Sequence, residues 1–222
     1  MEVIVNVAMS ADGKLATPER EQIRISGPED FDRVDAIRAE VDAVAVGVGT
    51  VLADDPSLTV DDPDRIDERR ACGESAQPTR VVVDSRLRTP TDAQVLDDAA
   101  DTVVFASAAA PADRIAAFEQ RGATVIVRGD SRVDLPAAVD ALGDRGVDAM
   151  LIEGGGELLA SVFATGLADR VSTFVGPLLL GGREAPTLAD GPGFDRPFPE
   201  LALDGIDRLD DGVVLYWSVL KT

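Results

Sequence analysis

The chain contains no histidine, one cysteine and, at Lys14 and Lys221, its only lysines. Without imidazole, Ser-His-Asp catalysis, histidine acid–base chemistry and His-ligated metal centres are excluded. The single Cys72, in a polar stretch beside Gly73, leaves no intrachain disulfide and no cysteine cluster for zinc, so no metal is expected. Aromatic residues make up only 4%, and no uninterrupted apolar segment approaches the roughly 20 residues of a membrane span. The start, Met1-Glu2-Val3-Ile4-Val5-Asn6, enters a strand pattern with no basic region before it. That is not a signal peptide, and a cytoplasmic protein is expected. An enzyme with so few reactive side chains is expected to rely on a bound cofactor.

What the chain has in excess is acid. There are 41 acidic against 21 basic residues, a formal net charge of -20. The acid is mostly aspartate and is spread along the whole length, which argues against a disordered acidic tail and against nucleic-acid binding. Dispersed carboxylate with little lysine resembles proteins of salt-accumulating halophiles. There the Debye length is only about 3 Å at 1 M salt, so self-repulsion is tolerable. The 222 residues suit one α/β domain, residues 1–222, with a substantial core.

The organising stretch runs from Asp148 to Ala160. Ala149 to Ile152 reads as a buried strand, Glu153 follows, and Gly154-Gly155-Gly156 leads into Leu158, Leu159, Val162 and Phe163 at helical spacing. Bare glycines let the backbone take positive φ and approach a ligand. The unpaired amides and dipole of the next helix then favour an anion. Three glycines can also be no more than a tight turn. Glu153, however, stands at a strand's C-terminal end, where open α/β sheets bind ligands.

In chain order, Val3 to Met9 reads as a strand closed by the turn Ser10 to Lys14, and residues 15–27 as loop. Pro28 to Glu40 reads as a helix: Pro28 suits its first turn, Glu29 and Asp30 its dipole, and Phe31, Val34 and Ile37 form an apolar stripe. Val41 to Val48 is a strand. The Gly47-Val48-Gly49 that follows is not a dinucleotide fingerprint, because Leu52 stands where a third glycine belongs. A helical turn over Thr50 to Ala53 leads to Asp54-Asp55-Pro56, either a plain turn or a pair of hydrogen-bond acceptors for ribose or amide groups.

Asp61 to Pro78 reads as a charged surface loop without core. Thr79 to Val83 is a strand ending in Asp84-Ser85. Thr102 to Ser107 and Ala123 to Arg128 are strands, and Pro111 to Gln120 and Leu135 to Leu142 are helices. Val147 to Ile152 leads into the glycine turn. Alternating strands and helices predict a largely parallel sheet covered on both faces. Arg170 to Val175 is a further strand, and Pro177 to Gly182 an apolar turn. Leu201–Leu209 and Val213–Leu220, split by Asp210-Asp211-Gly212, predict a C-terminal antiparallel hairpin.

Together, Asn6 to Lys14, Val46 to Thr59, Arg80 to Ser85, Glu153 to Gly156, and Pro177 with Gly181-Gly182 resemble the riboflavin-biosynthesis reductase family (RibD C-terminal-like). The similarity is to its standalone archaeal and fungal members. The resemblance covers nearly the whole chain, and the zinc deaminase often fused to this reductase is not expected here. It implies a dihydrofolate-reductase-like fold and a homodimer. It also implies NADPH-dependent reduction of a ribosylamino-pyrimidinone 5′-phosphate, with NADH possible as the donor.

By the same resemblance, Ala8, Thr50, Asp54, Val83, Asp84, Ser85, Arg86, Gly129, Gly154, Gly155, Gly156 and Glu157 contact the cofactor. Arg24, Arg38, Leu58 and Glu153 border the substrate. Asp54 and Glu153 are the catalytic candidates, and each could equally be a hydrogen-bond acceptor. Asp61 occupies a position where bacterial members carry an arginine for the substrate phosphate, so Arg24 or Arg38 is the expected substitute. A valine at Gly155 is expected to crowd the cofactor diphosphate and leave the fold largely intact. Rival readings are a dihydrofolate reductase, for which no pterin-binding acid is evident among Phe31, Val34 and Ile37, and a non-catalytic nucleotide-binding module.

Overall fold

The alternation of β-branched runs and helical stripes becomes regular structure in the computed structural model, which describes residues 1–21 and 23–221. Gln22, in the expected loop, and Thr222 lie outside the described residues. The elements in order are β1 (Glu2–Ser10), α1 (Pro28–Glu40), β2 (Ala43–Gly47), α2 (Val48–Asp54), α3 (Pro63–Ala71) and β3 (Thr79–Val83). They continue as β4 (Thr102–Ala106), α4 (Ala112–Gln120), β5 (Thr124–Val127), α5 (Leu135–Gly143), β6 (Ala149–Gly154) and α6 (Gly156–Ala164). The last three are β7 (Arg170–Gly176), β8 (Glu200–Leu209) and β9 (Gly212–Leu220). The chain divides into two compact units, Met1 with Asp35–Leu151, and Glu2–Val34 with Ile152–Thr222.

The first unit is a parallel α/β layer with strand order β5-β4-β3-β2. Val46 pairs with Val82, Val82 with Val104 and Val104 with Val125. All residues of β2 and β4 are buried, the continuous apolar pattern expected of strands covered on both faces. Asp134 caps α5 by accepting from the Ala137 amide at 3.1 Å. Expected boundaries shift by a residue or two: the strand read over Val41 to Val48 is Ala43–Gly47, and the helical turn begins at Val48.

Residues 61–78 correct the sequence reading. They hold α3, where Asp62 accepts from the Asp64 amide at 2.8 Å and Pro63 opens the first turn. No apolar stripe announces this helix because its buried residue is an arginine. The Arg69 guanidinium donates to the carbonyls of Ser75, Ala39 and Val41 at 2.7–2.9 Å. A search for hydrophobic periodicity misses a helix anchored in this way.

In the second unit β1 runs parallel to β7, β9 antiparallel to β7, and β8 antiparallel to β9. The expected C-terminal hairpin is present, turning through Asp210 and Asp211 between Leu209 and Gly212. Its turn also caps a helix. The Asp210 carboxylate accepts from the amides of Gly27, Glu29 and Asp30 at 3.0–3.2 Å, at the start of α1. Glu29 accepts from the Asp210 amide in return at 3.1 Å, so orphan donors are satisfied from both sides.

The apolar stripe expected on α1 is also corrected. Phe31 is 54% exposed, whereas Asp30 is 2% and Asp35 9% exposed. Asp30 is buried because it accepts from Arg33 Nε and Nη2 at 2.9 and 2.7 Å, and Arg33 also donates to Asn6 at 2.8 Å. Asp35 accepts from the Asp61 amide at 2.6 Å and from Arg65 at 2.9 Å. Burial raises the Asp35 carboxyl pKa, but the Asp61 amide and Arg65 outweigh it and hold it below the ordinary range. Among the described residues no helix is long and apolar enough to cross a membrane.

Candidate active site

In the first unit, the candidate residues gather at the C-terminal ends of β2, β3 and β5. Gly47 ends β2 opposite Val83 on β3, so Thr50 on α2 starts beside the Val83–Arg86 segment. Three loops are then stitched together through Ser85. Its Oγ accepts from the Val133 amide at 3.0 Å, and its carbonyl accepts from the Ser107 amide and Oγ at 3.1 and 2.8 Å. The Ala108 amide donates to Gly129 at 2.9 Å. Gly129 sits at φ +83, and a side chain there would run into the Arg132 carbonyl. Glycine is therefore required by the turn itself.

Asp84 is brought into this cluster but turns inward. It is completely buried, with Oδ2 accepting from the Thr89 amide at 2.7 Å and from its hydroxyl at 2.9 Å. Its carboxylate shapes the 84–89 turn, while Ser85, half-buried, and Arg86, exposed, lie on the outside.

The Asp54-Asp55 pair separates into two roles. Asp55 caps α2 in left-handed conformation, and its Oδ1 and carbonyl accept from the Gln94 amide and side chain at 2.8 and 2.7 Å. Asp54 is the half-buried member, and it is not without a partner. Leu58 is 1% exposed with φ 55, unusual for a leucine, and Arg38 Nη1 donates to the adjacent Thr59 carbonyl at 2.9 Å. Arg38 and Leu58 are thus near neighbours.

In the second unit Glu153 is half-buried near the end of β6, and Gly154 is its last residue. Gly155 is the N-cap of α6 at φ 94, ψ 98, and as a glycine it offers no side-chain cap. A positive-φ glycine followed by an uncapped helix start is the arrangement that suits an anion. Gly156 is glycine for another reason: a Cβ there would stand 2.6 Å from both the Thr187 carbonyl and Asp190 Oδ2. Glu157 is exposed on the first turn, and Ala8 on β1 packs beside Phe174.

Arg24 is exposed. Its Nε donates to Ser26 at 3.3 Å and its guanidinium lies 5.3 Å over the Phe31 ring. Among the described residues no hydrogen bond joins it to the glycine turn. Thr187 and Asp190 adjoin that turn, and Lys14 adjoins Thr187, yet none of the three is among the expected contacts. Lys14 Nζ donates to Ala185 at 3.3 Å and Lys14 bridges to Thr187. The available signal was rarity, since Lys14 is one of only two lysines. Nearby, the Ser10 hydroxyl and the Leu180 and Gly181 amides hold the Asp12 carboxyl at about 2.

A parallel α/β layer with an antiparallel C-terminal hairpin and a glycine-opened strand end defines a dihydrofolate-reductase-like fold. A dihydrofolate reductase from Enterococcus faecalis matches at TM-score 0.51 and 11% identity, over 99% of this chain and 97% of its own. A pyrimidine reductase-like protein from Corynebacterium diphtheriae matches at TM-score 0.86 and 20% identity, over 100% and 92%. Within that fold, the RibD C-terminal domain family model matches residues 1–215, and the chain belongs to this family. A 2,5-diamino-6-ribosylamino-4(3H)-pyrimidinone 5′-phosphate reductase from Archaeoglobus fulgidus is 42% identical over 95% of this chain and 94% of its own. The protein of that name from Methanothermobacter thermautotrophicus is 45% identical over 91% and 89%.

Proposed function

We infer that this chain reduces the ribosylamino side chain of 2,5-diamino-6-ribosylamino-4(3H)-pyrimidinone 5′-phosphate to ribitylamino, with a pyridine nucleotide as donor. The observation that carries the reading is the likeness to the Archaeoglobus protein, 42% over nearly the full length of both chains. The glycine turn supports it physically. Gly155 at φ 94 before an uncapped helix fits a diphosphate, which the amides of Gly154 to Gly156 and the α6 dipole would hold. When bound, the nicotinamide supplies a hydride to the anomeric carbon of the opened sugar, and a proton completes the amine.

This chain's part is placement and charge stabilisation. Glu153 and Asp54 are the carboxylates proposed to accept from aminopyrimidine or sugar donors, or to move that proton. The other proposed nucleotide contacts are Thr50, Val83, Ser85, Arg86 and Gly129 in the first unit, and Ala8 and Glu157 in the second. Asp84 is proposed to act by shaping the 84–89 turn. Arg38, tied to Thr59 next to Leu58, is the proposed phosphate ligand ahead of Arg24, which stacks on Phe31.

NADPH is proposed over NADH. The support is a group of exposed arginines, Arg86, Arg88, Arg128 and Arg132, on the stitched loops of the first unit, where they make no ion pair among the described residues. Their charge suits a ribose phosphate. Oxidation of the nucleotide, followed at 1 M salt with the ribosylaminopyrimidine phosphate and separately with dihydrofolate, tests the activity. Turnover with the former only, and a lower KM for NADPH than for NADH, is expected. Turnover with dihydrofolate alone would overturn the assignment.

A salt-accumulating archaeal owner and a homodimer are also proposed. Net charge -20 supports the first, and exposed Leu203 and Ile206 on β8, at 50% and 58%, support the second. Dilution from molar salt into dilute buffer is expected to lower helix circular dichroism as carboxylates repel. Sedimentation across the same series should give the dimer mass at high salt. Full structure in dilute buffer would remove the halophile proposal.

A further inference from the structure

The segment Ala185 to Asp190 in the second unit is fixed at both its ends. At its start, Lys14 Nζ donates to Ala185 at 3.3 Å and the Leu15 amide to Pro186 at 2.9 Å. At its end, the Asp190 amide donates to the Gly156 carbonyl at 3.1 Å. Asp190 Oδ1 accepts from the Thr187 amide at 2.9 Å and from its hydroxyl at 2.7 Å, closing the segment on itself. Asp190 Oδ2 and the Thr187 carbonyl lie so close to Gly156 that only a hydrogen fits there.

Gly156 opens α6, and its neighbour Gly155 takes a backbone conformation that a glycine readily leaves. Fixing the backbone of a residue costs conformational entropy, so a seat of free glycines would bind weakly unless it were held in advance. The helix fixes the Gly155 carbonyl through the Leu159 amide at 2.9 Å, but Gly155 has no side chain with which to cap its own turn. From outside the helix, the Asp190 amide adds a hydrogen bond to the Gly156 carbonyl.

We propose that Asp190 is a positioning residue for the nucleotide, clipping the 185–190 segment onto Gly156 so that the glycine turn is preformed for a diphosphate. The proposal rests on the cofactor reading above. The working atom is the acceptor Oδ1, and the negative charge itself opposes a diphosphate nearby. An asparagine, which keeps an acceptor and drops the charge, should therefore serve, and an alanine should not.

The test measures NADPH affinity by fluorescence titration at 1 M salt, with amide exchange of Gly155 to Glu157 in the ligand-free proteins. Asp190→Ala should raise the dissociation constant and the nucleotide KM about tenfold with kcat within about twofold, and speed exchange in the turn. Asp190→Asn should bind as tightly as the parent or more so, with parental exchange. Affinity unchanged in Asp190→Ala, or Asp190→Asn as weak as Asp190→Ala, would overturn the proposal. Parent protein that bound no nicotinamide nucleotide would remove the cofactor reading instead. The exchange rates would then still decide whether Asp190 holds the turn.

Discussion

Arg80→Met is expected to cost about 3 kcal/mol of folding stability, since each buried acceptor left unsatisfied costs about 1–3 kcal/mol. Arg80 is fully buried on β3. Its guanidinium uses all of its donors: Nε to the Thr102 hydroxyl, Nη1 to the Gln94 carbonyl and Asp97 Oδ1, and Nη2 to the carbonyls of Asp97 and Ala100. Methionine fills much of the stem volume but strands those acceptors, and lysine offers a point charge in place of a planar fork. Urea unfolding at constant high salt measures the loss. A loss under about 1 kcal/mol, the worth of an ordinary hydrogen bond, would show that the network adds little.

The same substitution should alter acid sensitivity. The hydrogen bond from Arg80, with help from the Ala99 amide, holds the Asp97 carboxyl below its ordinary value of 3.8. A folded-state value below the unfolded one contributes stability that is present above 3.8 and lost as pH falls through the lowered value. Arg80→Met removes the main cause, so its stability should fall less steeply than the parent's below that pH.

Gly155→Val is expected to weaken NADPH binding by about 100-fold, equivalent to roughly 2.7 kcal/mol. The sequence alone suggests a silent change in the fold, with the added side chain merely crowding the diphosphate. The backbone at φ 94 revises this, because a β-branched residue rarely adopts that conformation. Strain of order 1–3 kcal/mol should therefore lower thermal stability even without ligand. Calorimetric titration beside ligand-free melting separates the two effects. Unchanged affinity would remove the glycine turn from the nucleotide site.

Most of the fold was legible because its signals are local. The buried runs of β2, β3 and β4 announce covered parallel strands, Asp210-Asp211-Gly212 announces the hairpin, and three glycines after a strand announce the turn into α6. What stayed hidden is polar burial. The stripe read through Phe31, Val34 and Ile37 gave no hint that Asp30 and Asp35 go inside while Phe31 stays out. Helix α3 was invisible for the same reason, being anchored by Arg69. The Asp54-Asp55 pair could not be apportioned until Gln94 was seen to engage Asp55.

By itself, the order of residues determined the α/β class, the strand that ends in Glu153 and its glycines, the acidic surface and the exclusion of histidine chemistry. Each of these depends on neighbours in sequence or on composition, where period, turn preference and charge act directly. Only the tertiary structure decided that Asp210 caps α1, that Arg80 binds the 94–100 loop, and that Asp190 lies against Gly156. A charged or polar group can be buried only beside a complementary partner. In these three cases the partners lie from 14 to more than 180 positions away along the chain, a distance over which no local pattern reaches.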